Sequence, residues 1–295
     1  MVTVFALTKR NILMYLKDKT AVFFSFLSVL IIFLLFILFL AKMNIDSVQS
    51  FIPLDRKIIA FLVNSWVMGG IIVVNSITVT LGVLGIMVDD EAKHRMPAFL
   101  VSPVSRFKLL LGYVFSAFVI GVIMCMLVFI LSQVYIIADG GSLLTAAQVL
   151  EVLGIMLISV FSSTCFVFFL VSFIKTTSVF TTVSIIIGST IGLITGIYVP
   201  IGVLPDTVQK FIKFLPVFYN SSLMRDVFTA TPILEVFKGA PAKTVSDYME
   251  SMGITISWGG TAVSNLSKIA VVVLSGIVFL LLSFAVMRKK NMIRV

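Results

Sequence analysis

The chain has 295 residues, 60% of them apolar and 12% charged, with mean hydropathy +1.18 and a formal net charge of +9. Ordinary soluble domains are about half apolar and about a quarter charged, so this composition excludes one. The basic excess does not call for nucleic acid, because membrane topology and anionic lipid explain it.

In chain order, residues 4–19 read as an amphipathic helix on a membrane surface, within a first segment 1–20. Ile12, Leu13 and Leu16 supply the apolar side, and Lys9, Arg10, Lys17 and Lys19 supply cations that reach the headgroups. The alternative is plain topogenic flanking charge. Six apolar stretches follow, at 21–41, 58–84, 109–131, 150–173, 179–198 and 268–287. Runs of about 20 residues match a hydrocarbon core of roughly 30 Å. The first is too long for a signal peptide and has no small-residue cleavage site.

With both termini placed in the cytoplasm, the inner segments hold thirteen Lys and Arg against four acids, which leaves the whole +9 there. The outer segments hold nine of each, and positive residues hold loops inside. Spans one to five occupy 21–198, a long outer segment runs over 199–267, and span six with a basic tail fills 268–295. In the outer segment Val208, Phe211, Ile212 and Leu215 recur at helix spacing between Pro205 and Pro216, which predicts a short helix dipping into the leaflet. From about 225 to 260 the chain turns polar and Gly-rich, which predicts a small outer cap.

No GxxxxGK[ST] phosphate loop, HExxH or GxSxG occurs, so no residue here is a candidate catalyst. Cys125 and Cys165 lie in spans as small apolar side chains, and no Cys/His cluster has metal spacing. An ion-driven carrier or channel would need ionisable groups deep in its spans, and an intramembrane enzyme would need His, Asp or Glu converging at one depth. The predicted spans supply neither.

The most specific signal is the inner connection 85–108. Asp89, Asp90 and Glu91 suit a helix N-terminus. Lys93, His94 and Arg95 follow, then an apolar side at Met96, Phe99, Leu100 and Val101, before Ser102 to Arg106 breaks the pattern. A helix over about 89–102 fits a groove on a partner; the alternative is an amphipathic turn resting on the membrane.

This segment resembles the coupling segment of ABC-2 type transporter permeases, in which acidic residues and a hydrophobic helix precede Pro-hydrophobic-Ser-Arg and a later Gly. Pro103, Val104, Ser105, Arg106 and Gly112 carry the match, while Met96-Pro97 replaces the usual Gly-Thr. A second match, in the outer segment, is carried by Gly196, Pro200, Leu204, Pro205, Pro216, Tyr219 and Arg225. The resemblance implies an all-α membrane protein with six transmembrane helices, an N-terminal interfacial helix, a cytoplasmic coupling helix and re-entrant external helices.

It also implies an exporter half: a permease that dimerises, as a homo- or heterodimer, and couples to a separate P-loop ATPase subunit. That partner would hold ATP and Mg, and this chain would need no cofactor. Asp89, Asp90, Glu91, Arg95, Met96, Phe99, Pro103 and Arg106 would form the ATPase interface. Pro200, Leu204, Pro205, Phe211 and Pro216 would form the external gate, and spans two and five would face the path and the second subunit.

Span five carries Gly188, Gly192 and Gly196, spaced for close helix approach at a dimer interface or against another span of the same chain. Asn64 and Asn75 are 11 residues apart and share a face. With Thr78, Thr182, Ser189 and Thr190 they are candidates for the translocation path, or for contacts between helices. The expected substrate is amphipathic: a drug, a lipid-like natural product or toxin, or a lipid-linked glycan. The expected setting is a bacterial plasma membrane, with lipid around the subunit. A non-transporting subunit of an envelope complex is the remaining alternative.

Overall fold

The computed structural model describes residues 2–36, 42, 45, 46, 49, 54–95 and 104–292. Helices α1 (Val2–Lys17) and α2 (Lys19–Leu35) lead to α3 (Arg56–Ala92) and α4 (Arg106–Ala138). Then come α5 (Ala146–Val171), α6 (Thr177–Ile194), α7 (Asp206–Lys213), α8 (Pro216–Val236) and α9 (Ala242–Ser251). A hairpin of β1 (Ser257–Trp258) and β2 (Thr261–Ala262) precedes α10 (Asn265–Met292).

Side-chain caps fix where the long helices begin. Asp55 accepts from the Lys57 N–H at 3.1 Å to start α3, and Ser105 accepts from the Lys108 N–H at 3.4 Å to start α4. Thr145 and Gln148 close a capping box on α5. The α6 helix ends in a Schellman turn: the Ile197 N–H reaches the Gly192 carbonyl at 2.9 Å, with Gly196 at φ +75°. The hairpin turn is Gly259-Gly260, both at positive φ, as a two-residue loop with primed geometry requires.

The axis of the bundle is α3, which packs against α4, α5, α6, α8 and α2. Its most apolar stretch is 78% buried, against 11% for α6, so α6 lies at the periphery with an apolar face open. The first helix lies along α4, and α10 packs on α5 and α8. Glycines set the close approaches. A Cβ on Gly69 would stand 3.2 Å from the Cα of Arg225, so α3 and α8 meet almost backbone to backbone.

Among the described residues, five helices are long and apolar enough to cross a membrane: α3, α4, α5, α6 and α10. The first predicted span, 21–41, is seen as α2 through Leu35, and its last part lies outside the described residues.

Two expectations are corrected. Asp89, Asp90 and Glu91 do not begin a helix; they close α3, which runs past the predicted end of span two. The helix-dipole argument misled because α3 stays largely buried through Val88 and Asp90 finds cationic partners there, so the acids are tolerated at a helix C-terminus. Residues 225–236 are not polar cap but the second half of α8, with Arg225, Val227, Phe228, Thr229, Pro232, Ile233 and Val236 buried; the Thr229 hydroxyl donates to the Arg225 carbonyl of its own helix at 2.8 Å.

Candidate coupling site

The last turn of α3 places Asp90 where three other segments converge. Its side chain is fully buried. From α1, Arg10 donates through Nη1 to Oδ2 at 2.7 Å and through Nη2 to Oδ1 at 3.2 Å, a two-pronged contact. From α4, the Tyr113 hydroxyl donates to Oδ2 at 2.6 Å. From the turn after α3, Arg95 donates to Oδ1 at 3.4 Å.

A carboxylate at a helix C-terminus opposes the macrodipole, so the cations of α1 and of the following turn make this position tolerable. Burial of Arg10 opposes its charge, but the hydrogen bond and field of Asp90 outweigh it and hold its pKa above the ordinary value. Backbone geometry locks the same joint: the Arg95 N–H reaches the Asp90 carbonyl at 2.9 Å, with His94 at φ +53° in the capping position.

Gly112 completes the docking of α1. A Cβ there would lie 2.7 Å from Leu7 Cβ, so the absent side chain is what lets α1 lie flat on α4. Of the predicted interface residues, Asp89 pairs with Lys93, Glu91 is half-buried, and Arg95 and Arg106 are exposed. Asp90 faces inward as an internal joint. Met96, Phe99 and Pro103 lie outside the described residues.

The remaining candidates do not converge on one cavity. Asn64 donates to Asp139 at 2.6 Å and Asn75 to the Cys125 sulfur at 3.4 Å, so their shared face meets α4. Thr78 is half-buried and bonds back to the Val74 carbonyl at 3.2 Å. Thr182, Ser189 and Thr190 are exposed on α6, each hydroxyl satisfied by its own helix.

The three glycines do not form one helix face. Gly196 has left the helix, and a Cβ on Gly192 would overlap the Tyr198 ring. Gly188 stays open, with nothing within 4 Å of its Cβ position. Of the gate candidates, Pro200 caps the 3-10 turn Ile201–Val203, Pro205 and Pro216 start α7 and α8, Leu204 is half-buried, and Phe211 is 64% exposed.

Sequence reasoning missed a second buried charge. Arg225 on α8 has no exposed surface, and its guanidinium lies 4.2 Å from the centre of the Trp66 ring on α3. Beside it, the carbonyls of Met252 and Ile254 are held from three helices. Trp66 Nε1 donates to Met252 at 2.7 Å, Ser222 to Ile254 at 2.6 Å and Lys268 to Ile254 at 3.3 Å. Hydropathy had assigned Arg225 to a loop. Its sequence signals were its place in the outer-segment match and its position directly after Leu223-Met224 in a Pro-initiated helix.

The family model described as ABC-2 family transporter protein matches residues 42–285. The chain belongs to the ABC-2 transporter family. The resemblance read from the coupling and outer segments is thus borne out, and so is an all-α membrane permease. No curated protein matches the chain. The matched region starts after α1, so Arg10 and Leu7 of this permease lie outside it while their partners Asp90 and Gly112 lie inside.

Proposed function

We propose that this permease is the transmembrane half of an ATP-driven exporter, working as a dimer with a separate P-loop ATPase that binds ATP and Mg, and moving an amphipathic substrate out of a bacterial cytoplasm or inner leaflet. The observation that carries the coupling part is the Asp90 joint. It ties α1, the end of α3, the turn leading to 96–103 and the start of α4 into one unit. A push on that segment from the cytoplasm is therefore transmitted to two long helices rather than lost in a loop. The exposed hydroxyl face of α6, with Thr182, Ser189 and Thr190, supports its use against a second subunit or a path between two subunits.

A carrier would need ionisable groups deep in its spans; the two fully buried charges, Asp90 and Arg225, lie at the end of α3 and on α8, outside the predicted spans. What favours the exporter is that Asp90 is held by two guanidinium groups and a hydroxyl, which suits a fixed joint and not a proton relay.

Affinity purification from native membranes in mild detergent should recover a stoichiometric P-loop ATPase, and inside-out vesicles containing both should accumulate substrate on addition of ATP. Absence of any ATPase under conditions that preserve known complexes would sink the reading. With the complex in hand, Arg95→Glu should lower transport about tenfold while ATP hydrolysis persists. Unchanged transport would remove the joint from the coupling path.

A further inference from the structure

Arg225 plays no part in the coupling joint, and its surroundings do not account for its charge. All 13 acidic side chains lie among the described residues. None pairs with Arg225: the ion pairs use Asp46, Asp89, Asp90 and Glu250, and the adjacent Asp226 accepts from Asn265 at 2.6 Å. The guanidinium makes one long hydrogen bond, Nε to the Trp66 carbonyl at 3.4 Å, and buried Nη2 has no acceptor. A cation–π contact offsets only part of the cost of burying an ion, so the ring alone does not account for the charge.

Glycines clear the space around the fork. A Cβ on Gly70 would stand 3.1 Å from Nη2, and one on Gly196 would stand 3.3 Å from Nη1. What covers Nη2 on that side is Ile197, whose Cγ1 would be 2.7 Å from a Gly70 Cβ and which sits in the turn that ends α6.

We propose that Arg225 is the receptor for an anionic headgroup (carboxylate, sulfate or phosphate) on the transported amphipath, reached when the 195–197 turn swings off Gly70. The inference rests on the exporter reading and names its substrate class. A guanidinium presents a planar pair of donors matched to the two oxygens of such a group. A carboxylate from a second copy fits less well. The guanidinium is enclosed by α3, α8 and the end of α6 of its own chain, so a second copy would have to penetrate the protomer. A small headgroup needs only the turn to move.

The chain has two tryptophans, so a Trp258→Phe variant leaves Trp66, in contact with the guanidinium, as the sole fluorescent reporter. The purified full-length permease in a neutral detergent is titrated with dodecyl phosphate, inorganic phosphate, phosphatidic acid and dodecyltrimethylammonium. A saturable change in Trp66 emission with dodecyl phosphate is expected, at least tenfold weaker in Arg225→Gln, intermediate in Arg225→Lys and absent with the cationic analogue. Equal affinity in wild type and Arg225→Gln, or no saturable change at all, overturns the proposal. Response to inorganic phosphate as strong as to dodecyl phosphate would make this a simple ion site. Response to phosphatidic acid alone would assign the anion to bilayer lipid; either overturns the substrate assignment. Should Arg225→Gln fail to give a monodisperse protein, Arg225→Lys carries the comparison. The readout needs no ATPase, so its failure and the failure of the exporter reading are separate results.

Discussion

Two charges are buried against α3, about 36 Å apart along its axis if Asp90 is compared with the Trp66 level at which Arg225 sits. Asp90 is met by two guanidinium groups and a phenol from three neighbouring segments. Arg225 is met by an aromatic ring and one long hydrogen bond. The first arrangement is what a structural joint requires, because each partner left alone would be destabilising. The second is poor as a structural device, since an apolar side chain of the same size would pack as well without a desolvation penalty. Charge with partners holds this fold; charge without them is retained for something else.

The sharpest way to break the comparison is Asp90→Ala. It strands Tyr113 in the bundle and leaves Arg10 and Arg95 facing each other. Losing one partner of a buried pair costs 3–5 kcal/mol; because both arginines are partly exposed and can rehydrate, the lower end, about 3 kcal/mol, is expected. Denaturant unfolding of the purified protein in detergent reads it, and a loss below about 1 kcal/mol would mean the joint is ornamental.

Gly112→Val tests whether the joint depends on α1 lying flat. The new side chain would drive into Leu7, and overpacking of this kind costs about 2 kcal/mol. The accompanying sign should be faster protease cleavage within α1, which in the parent packs along α4. If cleavage is unchanged, the Leu7 contact is not what seats α1. Tyr113→Phe is gentler: it removes one hydrogen bond to a charged group and leaves the ring in place, so about 1.5 kcal/mol is expected. A double variant with Arg10→Ala should lose less than the sum, because both act on one carboxylate.

How much of this was legible beforehand follows from which interactions are local. The spans followed from apolar runs, whereas the helix starts at Ser105 and Thr145, set by capping contacts within three residues, were not read from the sequence. The importance of residues 85–108 was visible, but the role of Asp90 was not. Its partners stand 80 residues upstream and 23 downstream, and no periodicity encodes such pairings. Arg10 was read as a headgroup-facing cation because α1 is amphipathic, and the acid it meets was assigned to a different helix. Gly196 failed for the opposite reason: its four-residue spacing was real, but the Schellman turn had already ended the helix. Arg225 was hidden by hydropathy, which places any cation outside a span in water.

The smallest expected effect is the most instructive. Arg225→Met keeps the unbranched apolar stem over Trp66 and discards the charge, trading a cation–π contact for relief from burial. Burial outweighs the ring contact, but Met also gives up the Nε hydrogen bond to the Trp66 carbonyl and fills the site imperfectly, so stability should stay within about 1 kcal/mol of wild type, on the neutral or stabilising side. Set beside a loss of about 3 kcal/mol for Asp90→Ala, that near-neutrality would separate a residue that holds the bundle from one that does not. A loss as large as that of Asp90→Ala would show instead that the guanidinium supports the α3–α8 contact. Its missing acceptor would then be a tolerated defect of packing, and the contrast between the two buried charges would collapse.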